Sequence, residues 1–308
     1  MSRENTLELI NSHDSEFLVF CPKCRKVGRL HYNIRIGWYV KHGNKQTHYV
    51  RKNVALEVPI KRLNLIQYMG GDYFLLPSLA KMIPPHTCYV EVFGGGAPLL
   101  MSKPMSRVEV YNDVDGNLVN LFKVVRDRLD DFLRRSNFLL YSRELFYDFV
   151  RRENYESDPV ERAVMTFYVF WASFNGSRRG FSTSKTKNAA LTFFNSLDKV
   201  KLVHDRLKRV IIENLDFRDV IRRYDSDRTF FYLDPPNLYA ATEKRKDYYA
   251  HGISDKDFMD LLNIIERIEG KFLLKNVYVP FLIQWANERK YHVIELKITK
   301  YSSKVEGE

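Results

Sequence analysis

Cysteine is scarce in this chain: three in 308 residues, at positions 21, 24 and 88, too few for a disulfide framework. Cys21 and Cys24 stand too close together in sequence for a typical structural bridge. No apolar run approaches the ~20 residues of a membrane span, and the opening MSRENTLELINSHDSEF lacks the basic-then-apolar plan of a secretory leader. The expectation is therefore a cytoplasmic protein with no membrane partner. Internal repeats and low-complexity tracts are absent as well. At 45% hydrophobic and 28% charged residues the chain is neither disordered nor fibrous, and it is long enough for more than one domain. Acid is missing from two stretches. Phe17 to Leu56 holds nine Lys or Arg and no Asp or Glu; Arg162 to Leu197 holds five and again no acid. Together they exceed the whole net charge of +11, so the remainder of the chain is slightly acidic. Basic charge segregated in this way fits contact with a polyanion at two places.

Three textures follow one another. Residues 1–56 are short-period, basic and rich in β-formers, and the alternation in RLHYNIRIGWYV predicts a small hairpin or meander. Beyond it, strand-like runs alternate with helix-like ones. TCYVEVF (87–93), RVEVYND (107–113), FFYLDPP (230–236), KFLLKN and YHVIELKI read as strands, with a helix starting at GAPLLMSK. LVNLFKVVRDRLDDFLRR reads as a single helix, and SDKDFMDLLNIIERIEG as one capped by Ser254 and stopped by Gly270. That rhythm predicts an α/β fold, a doubly wound and mostly parallel sheet. A helical, then loop-like insertion is expected over 122–194, between catalytic segments 57–121 and 195–308.

YVEVFGGGA puts an acid, an aromatic and three glycines where a strand should turn into a helix, the ligand-binding edge of a wound sheet. Asp113 ends the next strand, where a carboxylate can hold the ribose hydroxyls of an adenosine-containing cofactor. The dinucleotide pattern GxGxxG fails at Leu99 from Gly94 and at Ala97 from Gly95. A looser FGGG loop suits S-adenosylmethionine, which has no phosphate to cradle. A plain structural turn remains the alternative for the glycines alone. Asp234-Pro235-Pro236 ends an apolar strand at the same edge. An exocyclic base amine is a poor nucleophile, and a carboxylate and carbonyl accepting its N–H groups make it a better one. Methylation at cytosine C5 is disfavoured, because the chain has no Pro-Cys dipeptide.

In order, IQYMGGDYFLLPSLAKMIPPHTCYVEVFGGGAPLL, VEVYNDVDGNLVNLFKVVRD, ASFNGSRRGFS, IIENLDF, FFYLDPPNLY and EGKFLL make the chain, from about Leu65 onward, resemble the Dam-type adenine-N6 DNA methyltransferases. The resemblance implies a Rossmann-like methyltransferase sheet with a helical target-recognition insertion, acting on double-stranded DNA by base flipping. It implies that Tyr68, Gly70, Gly71, Glu91, Phe93, Gly94, Gly95, Gly96, Asp113, Asp216, Phe217 and Asp234 bind S-adenosylmethionine. Asp234, Pro235, Pro236 and Asn237 form the catalytic tetrad, and a cognate restriction endonuclease becomes a conceivable partner. The family's tetrad normally ends in an aromatic, here Asn237, and its glycine pair is usually followed by Lys, here Asp72. A catalytically silent DNA-binding relative therefore stays open, as does an RNA or cytosine-N4 methyltransferase.

FNGSRRGFSTSKTKN resembles the family's target-recognition loop, with Asn175, Arg178, Arg179, Lys185 and Lys187 as expected nucleic-acid contacts. Reversing the charge of Arg178 and Arg179 is expected to abolish duplex binding. The N-terminal module offers Cys21, Cys24, His42 and His48, a Cys2His2 set for a structural zinc ion. Reduced cysteines in an ordinary hairpin are the other reading. His31 competes as a ligand, and the gap before His42 is longer than in a usual finger.

Overall fold

A computed structural model of the chain describes residues 6–13, 16–21, 23–24, 26–33, 37–42, 46–49, 55–57, 62–68, 74–237 and 252–296. By compactness it divides into one unit, Met1–Lys275, and a second, Asn276–Glu308, in which the one described helix is α10 (Pro280–Glu288).

The first unit holds two sheets. Strands β1 (Thr6–His13), β2 (Glu16–Phe20), β3 (Val27–Asn33), β4 (Gly37–Lys41), β5 (Thr47–Tyr49) and β6 (Ala55–Glu57) form a six-stranded sheet in the order β5-β4-β3-β2-β1-β6. β1 to β5 are antiparallel neighbours and β6 pairs in parallel with β1. The expected hairpin is present as β3–β4, inside a larger meander than the sequence suggested.

The second sheet is all parallel. β7 (Cys88–Glu91), β8 (Val108–Asn112), β9 (Val210–Glu213), β10 (Thr229–Leu233) and β11 (Lys271–Leu274) run in the order β11-β10-β7-β8-β9. Its central strands are apolar and buried on both faces, as parallel strands covered by helices must be; every residue of β10 is buried. Helices α1 (Leu76–Met82), α2 (Pro98–Ser102), α8 (Phe217–Tyr224) and α9 (Asp255–Ile265) accompany this sheet. The fold class is the expected one.

Between β8 and β9 come α3 (Gly116–Asp127), α4 (Leu129–Ser136), α5 (Arg143–Arg152), α6 (Pro159–Ala172) and α7 (Ala189–Leu207). α6 is the axis of this layer: from Ala163 to Ala172 every residue is buried, and α3, α4, α5 and α7 all pack on it. A helix apolar all round belongs inside, and each fully buried Phe or Val along it contributes about 2 kcal/mol. Asp115, Asp158 and Asn188 cap α3, α6 and α7 with their side-chain oxygens.

Three sequence expectations shift. The long helix predicted over LVNLFKVVRDRLDDFLRR breaks at Arg128, whose φ of −136° is not helical, into α3 and α4. α9 is capped by Ser254 as expected but ends at Ile265, and Gly270 instead leads into β11, tucked against the Thr229 carbonyl. Residues 291–296 of YHVIELKI form no strand, and the last two lie outside the described residues. Among the described residues no helix is long and apolar enough to cross a membrane.

Candidate active site

The chain winds from β7 to β8 to β9 in one direction, then crosses back so that β10 lies on the other side of β7. In open α/β sheets such a reversal leaves a crevice at the carboxyl ends of the two diverging strands. A cavity of about 330 Å³ opens there. Every strand end contributes: Glu91 to Gly96 after β7, Asn112 to Asp115 after β8, Leu215 to Phe217 after β9, Asp234, Pro236 and Asn237 after β10, and Lys275 after β11. Tyr68 closes one side.

The glycine loop is shaped by contact with the next strand. The Gly94 N–H donates to the Asn112 carbonyl at 2.8 Å, and a Cβ on Gly94 would sit 2.2 Å from the Tyr111 ring, so only glycine fits. The Gly95 N–H donates to Asp113 Oδ2 at 2.7 Å, and Asp113 Oδ1 accepts the Asp115 N–H at 2.8 Å. Asp113 thus fixes the two loops that rim the cavity. The Asn112 side chain ties a third loop to them, donating to the Val92 and Leu215 carbonyls and accepting the Leu215 N–H. Glu91 is 1% exposed. Its Oε2 accepts the Tyr89 hydroxyl and the Leu100 N–H at the start of α2, both at 2.9 Å. Burial pushes its carboxyl up to about 8 against those hydrogen bonds, which pull the other way.

Across the cavity, Phe217 packs on Phe93 with ring centroids 5.7 Å apart, and the Arg218 guanidinium sits 4.3 Å over Phe217. Arg218 also ion-pairs with Asp216, Asp257 and Asp260, fixing the first turn of α8. Among the described residues the lining is acidic, with Glu91, Asp113, Asp115, Asp216, Asp234 and Asp257 against one cation, Lys275. Such a wall repels a pyrophosphate and favours a ligand bearing positive charge and hydroxyls.

Asp234 follows the last residue of β10, and its Oδ2 accepts from Lys275 Nζ at 2.8 Å. The two strands meet here because the Lys275 N–H donates to the Leu233 carbonyl, continuing the β10–β11 ladder. Both side chains are about a quarter exposed (25% and 26%), so the pair fixes position more than it stabilises. Sequence reasoning missed Lys275; only its place after a strand expected beside FFYLDPP could have found it.

A profile of the family described as D12 class N6 adenine-specific DNA methyltransferase matches residues 68–299. The chain belongs to that family. It is similar to proteins called DNA adenine methylase: 23% identical over 254 residues to that of Escherichia coli K12, covering 77% of this chain and 88% of the relative. It is 25% identical over 252 residues to that of Serratia marcescens (78% and 92%) and 22% over 206 residues to that of Haemophilus influenzae (64% and 71%). As a family member it is an adenine-specific DNA methyltransferase, using S-adenosylmethionine as methyl donor and DNA as substrate. The cytosine, RNA and silent-relative alternatives are not favoured.

The cavity's lining fits the family's donor. Its acids suit the sulfonium and ammonium charges, and a Cβ on Gly95 or Gly96 would come 2.8 Å or 2.9 Å from Tyr68, which lines the cavity, so the loop approaches that wall only as glycine. Of the residues expected to bind the donor, Tyr68, Glu91, Phe93, Gly94, Gly95, Gly96, Asp113, Asp216, Phe217 and Asp234 line this one cavity, with Pro236 and Asn237. Pro235 lies between Asp234 and Pro236 in the chain. Gly70, Gly71 and Asp72 lie outside the described residues, as does Tyr239, a candidate stand-in for the missing tetrad aromatic. Tyr232, the other candidate, is 2% exposed and lines the cavity from β10.

The five residues expected to contact nucleic acid separate into two groups. Asn175, Arg179, Lys185 and Lys187 are exposed. Arg178 turns inward: it ion-pairs with Glu153, lies 3.5 Å from Asp115 Oδ2 and stacks 5.2 Å over Phe170. In the N-terminal sheet, the ligand atoms of Cys21, Cys24, His42 and His48 all lie within 4.8 Å of one another. Cys21 Sγ is 3.1 Å from His48 Nδ1 and Cys24 Sγ is 3.4 Å from His42 Nε2.

Proposed function

We propose that the flipped-out adenine of a DNA duplex is methylated at the mouth of this cavity. Asp234 and the Pro235 carbonyl accept its two amine hydrogens, and the acidic wall opposite holds the donor. Bound S-adenosylmethionine supplies an electrophilic methyl group. The observation that carries this reading is Asp234 at the switch point, sharing one cavity with Glu91, Asp113 and Phe217. The adenine amine lone pair is delocalised into the ring; two acceptors that pull on its hydrogens return density to nitrogen and stabilise the positive charge that develops there. Pro235 and Pro236 each fix φ, so the turn presenting the acceptors is stiff. The aspartates at 113 and 216 suit the ribose hydroxyls and the adenine of the donor, with Phe93 and Phe217 as its apolar walls. Asn237 offers the target base an amide where the family offers a ring, exchanging stacking worth about 1 to 3 kcal/mol for hydrogen bonding.

The division into a module at 1–56, a recognition insertion at 122–194 and a catalytic remainder belongs to the same reading, supported by the separate N-terminal sheet and the helical layer around α6. Zinc held by Cys21, Cys24, His42 and His48 is a further part of it, supported by the mutual reach of the four ligand atoms.

Transfer of labelled methyl groups to unmethylated duplex DNA, with N6-methyladenine as product, tests the proposal. Label found only in RNA, label found as N4-methylcytosine, or tight duplex binding without transfer would overturn it.

Glu91 gives a second expectation. A cationic donor beside Glu91 favours its ionised form, so binding expels the proton that burial keeps on the carboxyl up to about pH 8. Donor affinity should then rise with pH by up to about tenfold per unit until about 8, and level off above it. Glu91→Gln should flatten the profile, and calorimetry in buffers of different ionisation enthalpy should show the proton released by wild type alone. Equal proton release by the variant would remove Glu91 from that role.

A further inference from the structure

β2 runs toward the Cys21–Lys26 turn, β3 runs back, β4 runs toward the His42–Gln46 turn and β5 returns, each pair antiparallel. Both turns therefore sit at the same end of the sheet. Each is closed by a backbone hydrogen bond, Cys21 N–H to the Lys26 carbonyl at 3.0 Å and His42 N–H to the Gln46 carbonyl at 2.9 Å. Tetrahedral zinc with ordinary bond lengths sets its sulfur and nitrogen ligands about 3.5 Å apart. The 3.1 Å and 3.4 Å separations here are close to that. The Gln46 amide nitrogen lies 3.0 Å from His48 Nε2, the ring nitrogen that does not face Cys21; a ring bound to metal through Nδ1 carries its proton on Nε2, and turning the Gln46 amide over presents its oxygen to accept that N–H, as an outer partner of a metal ligand does. Gly28 makes room, since a Cβ there would come within 2.9 Å of the His42 ring. Four protein ligands leave no open position, so this is a structural site.

The opposite face of β3 to β5 differs in kind. Alternation puts Gly28, the fully buried Val40 and His48 on the metal's side and Arg29, Tyr39, Lys41, Thr47 and Tyr49 on the other. Arg29 stands directly opposite Lys41, so two cations share one register position of this face. Lys41 Nζ lies 5.8 Å over the Tyr39 ring, and Tyr39 and Tyr49 are 6.2 Å apart. Lys23 and Lys26, both exposed, flank the cysteine turn, and the sequence offers no acid anywhere from Phe17 to Leu56.

We propose that this cationic, tyrosine-bearing face grips the phosphate backbone of duplex DNA flanking the target adenine, and that the zinc clip holds it in shape, so that DNA affinity depends on the metal while donor affinity does not. The inference rests on the zinc reading above. A face of opposed cations held by a closed metal site binds only as long as the strands stay in register, and the two clipped turns set that register.

The full-length protein, purified from zinc-supplemented medium, is analysed for metal. It is then titrated with a duplex extending well beyond the target site, before and after chelation, at several salt concentrations. One zinc per chain, roughly tenfold weaker duplex binding after chelation with a shallower salt dependence, and unchanged S-adenosylmethionine affinity is the expected result. Zinc bound but duplex binding unaffected by its removal would overturn the grip and leave the metal site standing. Absence of metal would overturn both. Because Cys21→Ser risks misfolding the sheet, the double variant Arg29→Ala, Lys41→Ala is the second arm: it should keep its zinc, lose roughly tenfold in duplex affinity and reduce the salt slope by about 2. Wild-type binding by that variant would sink the proposal even with zinc in place.

Discussion

Replacing Asp234 by alanine should lower the single-turnover rate of methyl transfer by about three orders of magnitude, with donor affinity changed only a few-fold. A positioned proton acceptor contributes about 10²- to 10⁴-fold, and in the proposed reaction the same carboxylate also stabilises the charge that develops on the attacking nitrogen. Donor binding should survive because Glu91, Asp113 and the Phe93–Phe217 wall are held by other contacts: Tyr89, Leu100, Gly95 and Arg218. Asp234→Asn keeps an acceptor oxygen but loses the charge and the pair with Lys275, so an intermediate rate is expected. The measurement is label transfer to DNA with enzyme in excess. An alanine variant within tenfold of wild type would take Asp234 out of the chemistry. Lys275→Met supplies a finer readout. It removes the contact that fixes one carboxylate oxygen, 2.8 Å away, and should lower the rate less than Asp234→Ala without altering DNA affinity.

How much of this was legible beforehand follows the range of the interactions. The loop after β7 and the acid after β8 could be read because each is a local pattern, a strand ending in a residue type that only a ligand edge needs. The break at Arg128 could not. Apolar positions continue in helical phase through Phe132 and Leu133, while a single non-helical residue redirects the chain so that α4 as well as α3 can pack on α6. YHVIELKI carries a strand's composition, yet residues 291–296 pair with nothing as a strand, and composition cannot report a missing neighbour. Lys275 and Asp234 are 41 residues apart, and the sheet order that joins them is set by where β10 inserts. The cluster of Cys21, Cys24, His42 and His48 lay between these cases. Its residue types were legible, but whether a long gap still closes depends on both turns lying at one end of the meander.

The Arg178-Arg179 pair shows the same limit and carries the largest expected effect on stability. In sequence the two arginines are equivalent; in the fold, Arg178 has a φ of 62° and turns back toward Glu153. Glu153 is 3% exposed and its Oε2 has no hydrogen-bond partner. Removing Arg178 leaves a buried carboxylate without its cation, at a cost of about 3 kcal/mol. Arg178→Ala should therefore lower Tm by about 6 °C, whereas Arg179→Ala, at an exposed position, should leave it unchanged. The pH dependence has a definite sign. Burial holds the Glu153 carboxyl above its ordinary value despite the opposing pull of Arg178, so the folded state binds a proton more readily than the unfolded one. Stability contributed by that proton is present at low pH and is lost as pH rises from the ordinary carboxylate value through the folded one. Loss of Arg178 raises the folded value further, so the Tm deficit should be largest at pH 8 and shrink toward pH 5. Glu153→Gln in the Arg178→Ala background should restore most of the Tm, because it removes the stranded charge. DNA affinity then separates two roles for Arg178. If it recovers with Tm, Arg178 acts by fixing its own loop to Asp115 and Glu153, as its inward geometry leads us to expect. If it stays tenfold weak at restored Tm, Arg178 itself touches DNA, and the equivalence implied by the sequence was the better guide.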